Sequence, residues 1–185
     1  LDATAEEIAV VQKADAVCFG TLALRSPQTR QAVITLLKNA PQAAYKLFDV
    51  NLRSNYYSKE LIDELLQEAN VFKINDEEMV KVQELFGLHL SDEEICKWFI
   101  QKYDLRYLIF TAGEKYSIVY SAGGEKSYLD TPKVKVADTV GAGDSFSAGF
   151  VMGLLTGKSM REAHKQAVAT AAFVCTKSGA WPEYE

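Results

Sequence analysis

The 185 residues are 48% hydrophobic, enough to bury one substantial core and within the usual range of a single domain. Against 25 Asp and Glu stand only 20 Lys and Arg, a net charge of -5. No basic excess is available to neutralise a nucleic-acid backbone or to hold an anionic membrane surface, and neither partner is expected. A small anionic ligand stays compatible with this balance, because it needs only a few well-placed donors.

Cys18, Cys96 and Cys175 are far apart and lack C-x-x-C spacing, which argues against a disulfide framework or a zinc site and fits a reducing cytoplasm. The first residues show no cationic stretch followed by an apolar one, so no signal peptide is read there. Residues 145–157 are free of charge but too few to cross a bilayer. Within them Gly149 and Gly153 read as close helix packing.

In chain order, Thr4 and Glu7 form a capping box for a helix to about residue 14, and 16–19 is a short buried strand ending at Gly20. Ser26-Pro27 opens a helix whose apolar face is Val33, Ile34, Leu36 and Leu37, stopped by Asn39 and Pro41. A strand at 45–50, a helix at 58–69, a strand at 71–74 and a helix at 76–86 ending at Gly87 follow. Ser91 and Glu94 cap the next helix, to about residue 103, and 107–110 is a strand. Alternating strands and helices predict an α/β fold: a mostly parallel, doubly wound sheet with helices on both faces. Past Gly113 the pattern becomes a hairpin, 116–120 and 125–129 around Gly123-Gly124, with a further short strand expected at Val134 and Val136. Helices are expected at 144–156 and, capped by Ser159 and Glu162, from there to about residue 177. No linker or repeat interrupts the series, so residues 1–185 read as one domain.

The chemistry concentrates at Asp138-Thr139-Val140-Gly141-Ala142-Gly143-Asp144. Small residues leave backbone N–H groups uncovered at a helix start, where donors point outward and carry partial positive charge, a suitable hole for phosphoryl oxygens. A carboxylate just after them could take a proton from an attacking hydroxyl. The local pattern equally allows Asp144 to be only the helix cap.

This stretch, continued by Ser145-Phe146-Ser147-Ala148-Gly149-Phe150, resembles the second signature of the ribokinase-like, or PfkB, carbohydrate kinases. The resemblance implies Asp144 as catalytic base, with Gly141, Ala142 and Gly143 lining an anion hole. Lys73-Ile74-Asn75-Asp76-Glu77-Glu78 resembles the family's N-x-x-E motif, implying that Asn75 and Glu78 organise Mg2+ and the ATP phosphates, often through water. By themselves the two residues are also an ordinary capping box. Thr111-Ala112-Gly113-Glu114-Lys115-Tyr116 occupies the place of T-x-G-x-x-G, with Tyr116 where the second glycine belongs, leaving Thr111 and Gly113 as ATP-binding candidates or a plain strand-to-turn transition. Lys177-Ser178-Gly179-Ala180 resembles the loop that closes over adenine, implying ATP contacts from Lys177, Gly179 and Ala180 and a monovalent-cation (K+) site shared with Asp138. The alternative is a glycine helix cap.

Asp49-Val50-Asn51-Leu52-Arg53 resembles the D-x-N-x-R of fructokinases and 2-keto-3-deoxygluconate kinases, implying Asn51 and Arg53 as substrate or phosphate contacts; a solvated Arg53 is the alternative. The phrasing is most similar to bacterial fructokinases, so fructose is the first expected acceptor, with a keto-deoxygluconate or nucleoside kinase, or a silent nucleotide-binding module, as alternatives. The resemblance starts partway into the family pattern. It implies that the N-terminal part with most sugar contacts and the small β lid lies outside this chain, that the complete enzyme is a homodimer, and that this portion alone is inactive. His89 and His164 are expected in solvated positions.

Overall fold

The computed structural model describes residues 3–52 and 57–183. Its elements are α1 (Ala5–Val11), β1 (Ala16–Phe19), α2 (Pro27–Asn39), β2 (Tyr45–Asp49), α3 (Lys59–Glu68), β3 (Val71–Asn75), α4 (Asp76–Phe86), α5 (Asp92–Tyr103), β4 (Tyr107–Thr111), β5 (Tyr116–Ser121), β6 (Lys126–Asp130), α6 (Ala142–Leu155) and α7 (Met160–Cys175). Among the described residues the strands form one six-stranded sheet in the order β1-β2-β3-β4-β5-β6, with β1, β2 and β3 parallel. Capping boxes open α1, α4, α5 and α7, each pairing the N-cap with a glutamate three residues on. Gly87 closes α4 at φ +67°, a left-handed conformation that glycine adopts without steric cost.

The chain divides into two compact units, Leu1–Phe110 with Tyr120–Gly124, and Thr111–Val119 with Glu125–Glu185. In the first, the parallel register places Phe19 beside Phe48 and Phe48 beside Phe72, and the rings follow at centroid separations of 5.4 and 5.5 Å. Phe99 of α5 continues the row, 5.2 Å from Phe72. Each ring removes a large apolar area from water, and stacked or tilted contact adds to that. Successive residues Leu47-Phe48 and Val71-Phe72 are all buried, so β2 and β3 are covered on both faces there.

In the second unit α6 lies along α7. A Cβ on Gly153 would come within 2.8 Å of Ala163, and one on Gly149 within 3.0 Å of Ala167, so both glycines serve close helix packing. His164, expected in solvent, is instead fully buried. Its Nε2 lies 2.8 Å from Ser117 Oγ on β5 and its Nδ1 2.9 Å from Ser127 Oγ on β6, so the hairpin supplies the partners that water would otherwise give. Burial pushes its pKa down to about 4, leaving a neutral ring that donates through one nitrogen and accepts through the other.

Three expectations at element level are corrected: first, β1, read as buried, has no buried residue, and its Cys18 is exposed. Val134 and Val136 form no strand; the segment is irregular, and among the described residues no strand pairs the exposed Val136. A 3-10 turn, Thr21–Leu24, follows β1 where none was expected. No helix among the described residues is long and apolar enough to cross a membrane.

Candidate active site

In the second unit, α6 begins two residues earlier than the sequence pattern suggests, and its N-cap is Gly141 at φ +81°. Asp144 is therefore the third helical residue and not the cap, which removes the capping alternative. Ala142 N–H donates to Thr139 O at 3.2 Å and Ser145 N–H to Gly141 O at 2.8 Å. The N–H groups of Gly143 and Asp144 find no acceptor among the described residues, and both residues are exposed. Two outward donors thus share the first turn of a 14-residue helix with a solvent-facing carboxylate.

Asp138 ties this loop to the segment after α7. Its Oδ1 accepts from Val140 N–H at 3.0 Å and its Oδ2 from Gly179 N–H at 3.1 Å. These backbone donors hold its pKa below the usual carboxylate value, so the group stays ionised. Gly141 packs against Ala180 so closely that an added Cβ would lie 2.7 Å from the Ala180 carbonyl oxygen. The structure thus brings together the 138–144 loop and Gly179-Ala180. Gly179 is no helix cap, because Thr176 ends α7 and Gly179 stands three residues beyond it at φ +84°. Lys177 lies with its Nζ 5.2 Å above the ring of Phe173.

Thr111 ends β4, and a tight turn follows, with Lys115 N–H donating to Ala112 O at 2.9 Å and Ala112 N–H to Tyr116 O at 2.8 Å. Gly113 adopts φ +53° there and its carbonyl accepts from Thr131 Oγ1 at 3.0 Å. Tyr116, standing where the related motif has glycine, stacks its ring on Tyr128 at 5.2 Å.

In the first unit, Asn75 is the N-cap of α4. Glu78 N–H donates to Asn75 Oδ1 at 2.8 Å and Asn75 N–H returns to Glu78 Oε2 at 3.1 Å. Glu78 does more than cap: its Oε1 accepts from Leu52 N–H at 3.1 Å, fixing the exit of β2. Burial pushes the Glu78 carboxyl up, against the pull of the Asn75 and Leu52 donors. Among the described residues no three His, Cys, Asp or Glu side chains gather to hold a metal. Magnesium retains several waters and takes one or two carboxylates, so Glu78 fits a contact through water; both its oxygens are already engaged by backbone donors.

Sequence reasoning overlooked how the β2 exit is built. Lys73 Nζ pairs with Asp49 Oδ2 at 2.5 Å across β2 and β3, both largely buried. Thr21, also buried, donates its hydroxyl to Val50 O at 2.8 Å, with Asn51 O at 3.1 Å from the same oxygen. Asn51 is held at φ +42°, rare for a residue other than glycine. Arg53 lies outside the described residues. Gly20, Leu22, Ala23 and Arg25 line a cavity with Asn51, and the only sequence signal was the strand end at Gly20.

Comparison with known proteins accords with this geometry. The chain is 31% identical over 162 residues to the 5-dehydro-2-deoxygluconokinase of Geobacillus thermodenitrificans, covering 84% of this chain and 47% of that protein. It is 29% identical over 132 residues to a nucleoside kinase of Methanocaldococcus jannaschii, covering 71% and 41%. The solved fructokinase of Xylella fastidiosa with bound ATP superposes with a TM-score of 0.79 over 93% of this chain and 58% of that one; at 19% identity it shows the fold alone. The chain spans about half the length of the curated relatives it matches. Its sheet, its small-residue helix start and its Asp138–Gly179 link lie within residues 1–183, all of which match the pfkB family carbohydrate kinases, and the chain belongs to that family.

Proposed function

We propose that this chain is the ATP-handling part of a kinase that transfers the γ-phosphate of ATP to a sugar hydroxyl. The observation that carries this reading is the first turn of α6, where the open N–H groups of Gly143 and Asp144 adjoin an exposed carboxylate. The donors receive phosphoryl oxygens, and Asp144 accepts the proton of the attacking hydroxyl. Gly141 and Ala142 shape the hole, with Ala142 N–H committed to closing the loop. Thr111, Gly113, Lys177, Gly179 and Ala180 serve the nucleotide, and the ionised Asp138 suits a monovalent cation nearby. Asn75 and Glu78 steady a hydrated magnesium ion, which when bound neutralises phosphate charge.

Two acceptor readings follow. Fructose rests on the D-x-N-x-R resemblance at residues 49–53. A deoxygluconate-type sugar acid is supported by the relatives of that name, which cover most of this chain. In the complete enzyme we place the remaining sugar contacts outside this chain and the working unit as a homodimer. A coupled assay of ADP release with fructose, 2-keto-3-deoxygluconate and a nucleoside, run on the full-length protein with Mg2+ and ATP, tests the proposal. Absence of turnover with every acceptor would refute it.

A further inference from the structure

The cavity beside Asn51 bears on the choice of acceptor. It measures about 410 Å³, within the ~300–1,000 Å³ of small-molecule sites, and lies where β1 and β2 end, the side of a parallel sheet that receives ligands. Gly20, Leu22 and Ala23 offer only backbone and apolar surface, and Asn51 a neutral amide; Arg25 is the charged group of the lining. Among the described residues no carboxylate lines it, and Arg25 makes no ion pair or hydrogen bond with any other described residue.

The Asn51 side of the cavity is held in place. Thr21 pins Val50 and Asn51 through its hydroxyl, Glu78 pins Leu52, and Lys73 pairs with the Asp49 carboxylate at the end of β2. A Cβ on Gly20 would meet Asp49 O at 2.7 Å, so at this strand end there is no room for a side chain. Three separate ties thus hold the backbone of residues 50–52 at φ values that include the left-handed one of Asn51. A surface arginine is ordinarily solvated. This one is exposed, as are Leu22 and Ala23, and it borders a cavity whose Asn51 side is held in place and which has no opposing charge among the described residues, where a guanidinium fork binds an oxyanion through parallel hydrogen bonds.

We propose that Arg25 is a specificity-determining residue, and that the cavity it shares with Asn51 and Gly20 takes the anionic end, carboxylate or phosphate, of a negatively charged sugar acceptor. The inference rests on the kinase reading and deepens it. It favours the sugar acid over fructose.

The test uses the full-length protein as wild type, Arg25→Gln and Arg25→Lys. Acceptors are 2-keto-3-deoxygluconate for the carboxylate, fructose 6-phosphate for the phosphate and fructose as the neutral control. One charged acceptor is expected to exceed fructose in kcat/KM, and which one does so identifies the anion. Arg25→Gln should raise its KM by roughly 10- to 100-fold with fructose unaffected, and Arg25→Lys should recover part of the loss. Equal effects on charged and neutral acceptors, or no effect on either, would overturn the proposal. Calorimetry of the same acceptors without nucleotide separates this from failure of the kinase reading. Binding of an anionic acceptor that Arg25→Gln weakens supports the cavity even without turnover, and acceptor binding insensitive to Arg25, or no anion binding at all, overturns it.

Discussion

The carbonyl oxygen of Ala180 stands 2.7 Å from where a Gly141 side chain would begin. Gly141 also holds φ +81°, so space and backbone angle both require glycine at this point. The contact joins the helix start that bears Asp144 to the segment after α7. Gly141→Ala should therefore cost about 2–4 kcal/mol from strain and overpacking together, and weaken nucleotide binding. Urea denaturation and ATP calorimetry measure the two effects. A variant as stable and as tight-binding as wild type would show that the contact does not organise the loop.

Asp144 takes no part in capping and makes no hydrogen bond with other described residues. Asp144→Asn should leave the urea midpoint and nucleotide KM near wild type while kcat in the full-length protein falls by about 10²- to 10⁴-fold, because the amide cannot take the proton. Steady-state kinetics decide this, and a kcat within a factor of a few of wild type would remove Asp144 from the role of base.

His164 predicts a pH dependence of stability. Its folded pKa, about 4, lies below the ordinary 6.5, so protonation favours the unfolded chain. The stabilisation is present above pH 6.5 and is lost as pH falls toward 4, amounting to roughly 3 kcal/mol over that window. Denaturation profiles at pH 7 and pH 4.5 should diverge less for His164→Gln than for wild type. Parallel behaviour of the two proteins would place the acid sensitivity elsewhere.

Glu78 runs the other way, since burial raises its folded pKa. Its favourable contribution is complete below the ordinary value of 4.5 and declines as pH rises through the folded pKa. Glu78→Ala would leave the N–H groups of Asn75 and Leu52 without an acceptor, at about 2 kcal/mol. Glu78→Gln keeps the shape and should raise the magnesium concentration needed for half-maximal activity. A magnesium titration identical to wild type would confine Glu78 to its structural bonds.

At the α6–α7 contact, Gly153→Ala gains helix propensity of about 1 kcal/mol but drives a methyl to 2.8 Å from Ala163. Overpacking of about 1–3 kcal/mol should dominate and lower Tm by several degrees. An unchanged or higher Tm would mean that the helices separate at little cost.

The capping pairs Thr4–Glu7, Asn75–Glu78, Ser91–Glu94 and Ser159–Glu162 were legible in the sequence because each couples residues only three apart. The alternation that ordered β1 to β4 was likewise local, set by hydrophobic period and by glycine and proline stops. The glycines of α6 announced close packing, and the small residues before Asp144 announced open amides. What the chain order could not convey is which distant groups meet. His164 reads as a surface residue on its own helix and becomes a buried one because Ser117 and Ser127, 47 and 37 positions away, satisfy its ring. The Asp138–Gly179 link spans 41 residues and the Thr21–Val50 bond 29, and the cavity at Arg25 exists only once β1 and β2 end side by side. Periodicity and capping act within a turn or two of chain, so they determine elements; whether a polar side chain is solvated, satisfied or poised for a ligand depends on partners that only the packed sheet and helices bring within hydrogen-bond reach.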